Sequence, residues 1–265
     1  MSTARESKRT HLDRSRQHLA SNDPARIRYA ALELRLCLEI MTREKLNSYA
    51  KYLPQSFATN TWQPPKQLKV MRQVAANADK SFELYAGPEA VPGAEPSPDA
   101  FRLIGKHNAF SVEWLSKNYN KLGSFVHARF EPMTAIDEAS ALAYLVGIAG
   151  EIASAQEGNI LGMCMVQPIT FQCALCEQAI AVSERFARDQ PIVSCHNEKC
   201  EAEYRPEIGP DGARFHLLAQ RIRCVKCEAE MVVQDRHSGI RRDFQCPACK
   251  SKFLIVGLQY SPLDT

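Results

Sequence analysis

Eight of the ten cysteines in this 265-residue chain fall between Cys173 and Cys249, and they fall in pairs: Cys173/Cys176, Cys195/Cys200, Cys224/Cys227 and Cys246/Cys249. Three pairs are C-x-x-C and one is C-x4-C, with 18 residues between the two pairs of each group of four. A C-x-x-C turn aims two thiolates at one point. A second such turn, brought alongside by a short hairpin, completes a tetrahedron around a soft d10 ion. The spacing predicts two four-cysteine sites in tandem, each holding one Zn2+. The first is Cys173, Cys176, Cys195 and Cys200; the second is Cys224, Cys227, Cys246 and Cys249. Sites closed by four sulfurs leave no coordination position for a substrate, so the metal is expected to be structural and not catalytic. His196, inside the C-x4-C loop, can stand in for a cysteine. The wider loop still lets both thiolates converge, which favours Cys195 and Cys200.

The competing chemistries are disulfides and an iron–sulfur cluster. Disulfides need an oxidising compartment, and residues 1–16 are charged with no apolar core of a secretion signal, so a cytoplasmic location is expected. Paired C-x-x-C turns favour zinc over cluster ligation.

The residues between the cysteines have the composition of small β units. Residues 231–235, 242–245 and 253–256 are expected strands, with a Gly-bearing turn at 236–239. Cysteine pairs joined this way resemble the zinc ribbon, with one ribbon over residues 168–210 and a second over 218–258. Small domains of this kind carry few apolar residues and need the metal as a staple. The two differ in charge. Residues 168–210 hold four basic and seven acidic side chains, whereas 218–258 hold eight basic and four acidic. The second ribbon is therefore the expected nucleic-acid contact, through Arg236, His237, Arg241 and Arg242 at its hairpin tip and Lys226 between two cysteines. Phe244 and Phe253 sit where a small core needs them, so the expected contact is with the phosphate backbone, salt-sensitive and weakly sequence-specific. The acidic first ribbon suits a spacer or a protein partner. Total charge gives no direction, because the formal +3 falls to about −1 once eight thiolates and two Zn2+ ions are counted.

The elements ahead of the ribbons are mostly helical. Apolar and charged content, 45% and 24%, are those of a soluble globular chain, and no run reaches the length of a membrane span. Residues 1–22 form a basic arm with a short helix at 8–19. Asp23 and Pro24 signal a helix start, and Ile27, Ala31, Leu34, Leu38 and Met41 make its apolar seam, widened by Leu32, Leu36 and Ile40. Residues 44–53 can continue the helix, and Pro54 ends it. A helix over 66–76 follows, then strands at 81–85 and 101–104 around a Pro/Gly-rich loop. Helices over 111–129 and 134–156 come next, then a strand or buried connector at 160–166. On the helix over 111–129, Val112, Leu115, Tyr119, Leu122 and Val126 are the apolar seam, and Glu113, Lys117, Asn120, Ser124 and His127 the polar stripe. The fold class is thus α+β in two parts: an N-terminal, mainly α-helical bundle over residues 23–160 with a small β-hairpin, and a C-terminal pair of β zinc ribbons.

Residues 23–35, DPARIRYAALELR, look like an opening helix of the HEPN superfamily of helical ribonucleases, and residues 120–127, NKLGSFVH, lie where such proteins carry their active motif. The resemblance covers roughly residues 10–155. It implies metal-independent RNA cleavage by an Arg followed four to six residues later by a His, with two motifs facing each other across a homodimer. Here His127 is present, Lys121 stands in the cation's place and Asn120 shares the stripe. Histidine near neutral pKa can move a 2′-hydroxyl proton, but Lys lacks the bidentate fork of Arg. Three functions follow. One is a zinc-binding protein that contacts nucleic acid through the second ribbon and uses its helices to dimerise or dock a partner. Another is a toxin-like or antiviral ribonuclease using His127, Lys121 and Asn120. The last is a protein–protein adaptor with wholly structural zinc. No Gly-rich phosphate loop, H-E-x-x-H helix or nucleophile elbow is present.

Overall fold

Helix α2 (Arg26–Ser48) organises the N-terminal half, and every other long helix of that half packs on it. Ile27, Ala31, Leu34 and Leu38 recur at helical spacing and are buried, joined by Ala30, Cys37 and Leu46. The seam is narrower than its composition suggests: Leu32 is exposed, while Leu36 and Ile40 are half-buried. Asp23 does not act as the N-cap. Its carboxylate accepts the Ala25 N–H at 2.9 Å and its carbonyl accepts the Arg26 N–H at 3.0 Å, which leaves Ala25 as a cap without a side-chain bond. This is the structure of a computed structural model, which describes residues 2–21, 23, 25–53, 57, 63–88, 93, 97–127, 135–164, 167–197, 199–200, 202–235 and 243–254. Pro24 and Pro54 lie outside the described residues.

Helix α1 (Ser2–Leu19) is longer than the sequence suggests and is no arm. It lies along α2, buries Leu12 in the shared core, and is tied down by an ion pair from Lys8 to Glu44 and a hydrogen bond between His11 and Glu33. A 3-10 turn (Ala50–Tyr52) follows α2. Helix α3 (Pro64–Val74) starts on a proline whose missing N–H costs nothing there, and buries Leu68, Met71 and Val74. Strands β1 (Phe82–Ala86) and β2 (Arg102–His107) pair antiparallel from Phe82↔His107 to Ala86↔Arg102, with an irregularity between Leu84 and Tyr85.

Helix α4 (Val112–Val126) is capped by Ser111, whose hydroxyl accepts the Trp114 N–H at 3.0 Å. It places Leu115, Tyr119, Leu122 and Phe125 inside and the expected polar stripe in water. Helix α5 (Ala135–Gln156) turns Ala141, Leu145, Ile148, Ala149 and Ile152 inward. Arg35 of α2 donates to the Tyr119 hydroxyl at 2.9 Å, and that hydroxyl donates to Glu39 at 2.7 Å. A Cβ at position 123 would come within 2.6 Å of the Arg35 guanidinium, so Gly123 gives it room on the neighbouring helix. After α5 the chain is a connector and not a strand through residue 164: Ile160 donates to the Lys106 carbonyl at 3.0 Å, and the Tyr49 hydroxyl accepts the Met163 N–H at 3.2 Å. Among the described residues no helix is long and apolar enough to cross a membrane.

The chain divides into two compact units, Met1–Ile169 with Ala181–Phe186, and Thr170–Ile180 with Ala187–Thr265. Beyond the helices every sheet is small and antiparallel. Strands β3 (Ile169–Gln172) and β4 (Ala179–Val182) pair, and a short helix α6 (Glu184–Asp189) follows. Strands β5 (Val193–Ser194), β6 (Glu203–Gly209) and β7 (Gly212–Leu217) form a three-stranded sheet. Its β6–β7 turn closes on Gly209↔Gly212, with Gly212 at φ 117, a value only glycine takes without strain. Phe171 stacks on Phe215 with centroids 4.1 Å apart and meets the edge of Tyr204 at 5.1 Å. Strands β8 (Ala219–Arg223) and β9 (Glu230–Gln234) pair, as do β10 (Asp243–Gln245) and β11 (Lys252–Leu254). The last two hairpins enclose a minimal core: Met231, Ile222, Phe244 and Phe253 around Cys224, Cys246 and Cys249. The architecture is α+β, helical first and built of small sheets with cysteine clusters second.

Candidate metal centres

The eight sulfurs converge in two groups, and within each group the four sulfurs all lie within 4.8 Å of one another. In the first, Cys173 and Cys200 are 3.7 Å apart and Cys176 and Cys195 3.6 Å. In the second, Cys224 and Cys249 are 3.7 Å apart and Cys227 and Cys246 3.8 Å. Thiolates held about 2.3 Å from a central tetrahedral ion are about 3.8 Å from each other, whereas a disulfide brings its sulfurs to about 2.05 Å. The measured edges are those of a metal tetrahedron, and all ten cysteines are free of disulfides. Each quartet can hold one metal ion with no coordination position to spare.

One backbone device, used three times, aims these sulfurs. The first cysteine of each C-x-x-C turn donates its N–H five residues on: Cys173 to Gln178, Cys224 to Ala229 and Cys246 to Ser251, each at 2.9 Å. The residue after the second cysteine returns an N–H to the first cysteine's carbonyl, from Glu177 and Glu228 at 2.8 Å and from Lys250 at 2.9 Å. That residue is left-handed in all three turns, with φ 60 at Glu177, Glu228 and Lys250. The conformation costs a non-glycine residue roughly 1–2 kcal/mol, and the cysteine geometry holds it in place. The fourth turn is built differently. Cys195 donates to Ala202 at 2.7 Å, Cys200 donates to the Asn197 carbonyl at 3.0 Å, and the Asn197 side chain accepts the Lys199 N–H at 3.1 Å. This asparagine turn absorbs the two extra residues and returns Cys200 to the cluster. His196 is buried in the same loop, but the converging ligand atoms are the four sulfurs.

Hydrogen bonds already favour an anion at Cys173 in the first quartet and at Cys249 and Cys224 in the second. Burial opposes ionisation of Cys173, but the Tyr204 hydroxyl at 3.2 Å and the N–H groups of Leu175 and Cys176 outweigh it and bring the thiol down to about 7. The Ser251 hydroxyl and backbone take Cys249 down to about 6. Cys195, Cys200 and Cys227 move the other way. Burial, then contact with the adjacent sulfurs, pushes Cys200 up to about 11 and raises Cys195 as well. Four thiolates this close repel one another, and a divalent cation at the centre removes that repulsion.

Lys226 is exposed between Cys224 and Cys227, while Arg236, His237, Arg241 and Arg242 lie outside the described residues. Arg223, Lys250 and Lys252, three of the eight basic residues of the second ribbon that were not singled out as contacts, are exposed near the same cysteines. Their position next to a ligand was the signal available for finding them. Arg221 is engaged with Glu230 at 3.1 Å. In the helical unit Asn120, Lys121 and His127 are all exposed. The Lys121 ammonium sits over the Tyr144 ring, 3.9 Å from its centroid. His127 is the C-cap of α4: its N–H still donates to the Gly123 carbonyl at 3.3 Å, and its ψ of 147 ends the helix there, short of 129.

No family model, curated protein or solved structure matches this chain, and no family match supports the HEPN resemblance of the helical half.

Proposed function

We propose that this is a two-zinc nucleic-acid-binding protein, in which each quartet holds a structural Zn2+ and the second quartet braces a basic surface against phosphates. The sulfur edges support the metal part of this reading, since they suit a d10 ion that imposes no geometry of its own. The observation that carries the binding part is the charge around the second quartet. Arg223, Lys226, Lys250 and Lys252 are exposed on its strands and turns, and the chain between β9 and β10 adds Arg236, His237, Arg241 and Arg242. Phe244 and Phe253 are stacked on each other at 5.5 Å within the core. The grip is therefore on the backbone, with little reading of bases. The first quartet lies in an acidic stretch that suits a protein partner, and the helical unit serves for docking or self-association without cleaving RNA.

Gel shifts across a salt series test this. Changing Arg236, Arg241 and Arg242 together to Glu is expected to weaken binding to duplex DNA or single-stranded RNA by more than about tenfold and to lower the salt slope by about 2–3. RNA recovered from the mixtures is expected at full length. Binding indifferent to the three substitutions contradicts the proposal and favours the adaptor.

A further inference from the structure

Within the helical unit a pocket of about 60 Å3 lies among α1, α2, the residues after β2 and the connector after α5. Its wall is mostly apolar, with Met41, Leu68, Phe110 and Leu115 inside and the exposed Leu161 at its edge. Most of its polar groups are already engaged. Lys8 is paired with Glu44, the Thr42 hydroxyl donates to the Leu38 carbonyl at 2.8 Å, and the Asn108 amide donates to Ser154 at 2.8 Å. Lys45 differs. Among the described residues no carboxylate forms an ion pair with it; its partner is His107 Nε2 at 3.0 Å.

That histidine is held in one state. It is 1% exposed, stacked on Phe82 at 4.8 Å, and its Nδ1 lies 2.8 Å from the Ile160 carbonyl. The Ile160 carbonyl only accepts, so its bond calls for the ring proton on Nδ1 and turns the Nε2 lone pair to the Lys45 ammonium, with the Ala78 carbonyl a second acceptor beside the ring. A lysine whose neighbour is a fixed proton acceptor, at the wall of an apolar pocket, has what an amine nucleophile needs.

We propose that Lys45 condenses with a small aliphatic aldehyde that enters this pocket, with His107 relaying its proton. The ammonium gives one proton to His107 Nε2, and the freed lone pair bonds to the carbonyl carbon. The carbonyl oxygen leaves as water with two hydrogens from the nitrogen, one of them returned through His107, and an iminium remains. The surroundings agree. Burial pulls Lys45 down to about 8, only partly offset by Asp79, which is itself engaged by Arg72 at 3.4 Å. Burial, then the Lys45 charge, lowers His107. The titratable groups beside Lys45 are His107 on β2 and Asp79 after α3, and Lys8, paired with Glu44, lines the same pocket. At pH 7 roughly a tenth of Lys45 is then free amine.

The test uses the full-length, zinc-loaded protein with submillimolar propanal and cyanoborohydride at neutral pH, followed by peptide mapping. Lys45 is expected to be alkylated on the order of tenfold faster than exposed lysines such as Lys69 and Lys117, with a pH midpoint near 8. Lys45→Arg should remove that fast adduct, and His107→Gln should erase most of the rate advantage. The wild-type pH profile decides the matter alone if either variant fails to fold. Lys45 labelling no faster than the exposed lysines, or a midpoint near 10, overturns the proposal.

Discussion

Replacing Cys246 with serine is expected to expel one of two bound zinc ions and unfold the last two hairpins while the helices stay intact. The apolar residues around the second quartet are Met231, Ile222, Phe244 and Phe253, fewer than a domain of this size needs to fold unaided. A structural four-ligand zinc site contributes about 10–16 kcal/mol at neutral pH, far more than that core supplies. Cys246 is wholly buried and bonded through its backbone to Ser251 and Lys250, so losing its sulfur removes a ligand and loosens the turn that aims Cys249. Native mass spectrometry should show one zinc in place of two, and hydrogen exchange should show lost protection in β8–β11. Cys37→Ser is the control. That thiol is buried in the helical core, pushed up to about 12 by burial, and its loss should leave two zinc ions bound.

Lys8→Ala should destabilise the helical unit by about 3–5 kcal/mol, since it strands the Glu44 carboxylate in a site only 12% exposed. A surface ion pair would be worth under about 1 kcal/mol; burial makes this one matter. The double change Lys8→Met with Glu44→Leu should recover most of the loss, because an apolar pair avoids both desolvation costs. Urea unfolding followed by helical circular dichroism measures both. Equal loss in the single and double variants would assign the effect to packing.

The Lys8 case shows where sequence reading stops. The N-terminal segment displays Arg5, Lys8, Arg9, Arg14 and Arg16, and nothing local reveals that the partner of Lys8 lies 36 residues away on α2. The Arg35–Tyr119 bond and the room made by Gly123 were hidden for the same reason. Features set by neighbouring residues were legible. The cysteine pairs, the seam of α2, the polar stripe of α4 and strands β9, β10 and β11 all follow from turn geometry or periodicity. No strand between residues 169 and 223 was read from the sequence, and in β6 Pro206 interrupts the pattern. Strand β5 pairs only with Glu203 and Tyr204, so at Pro206 the outer side of β6 is an edge, where proline is tolerated. The left-handed residues Glu177, Glu228 and Lys250 gave no warning, since the usual signal for that conformation is glycine.

Elemental analysis of the purified chain, paired with a count of free thiols after denaturation under chelator, bears most directly on the whole account. Two zinc ions per chain and ten titratable thiols are the result it predicts. Protein without stoichiometric thiophilic metal, its eight clustered cysteines oxidised in pairs, would contradict it.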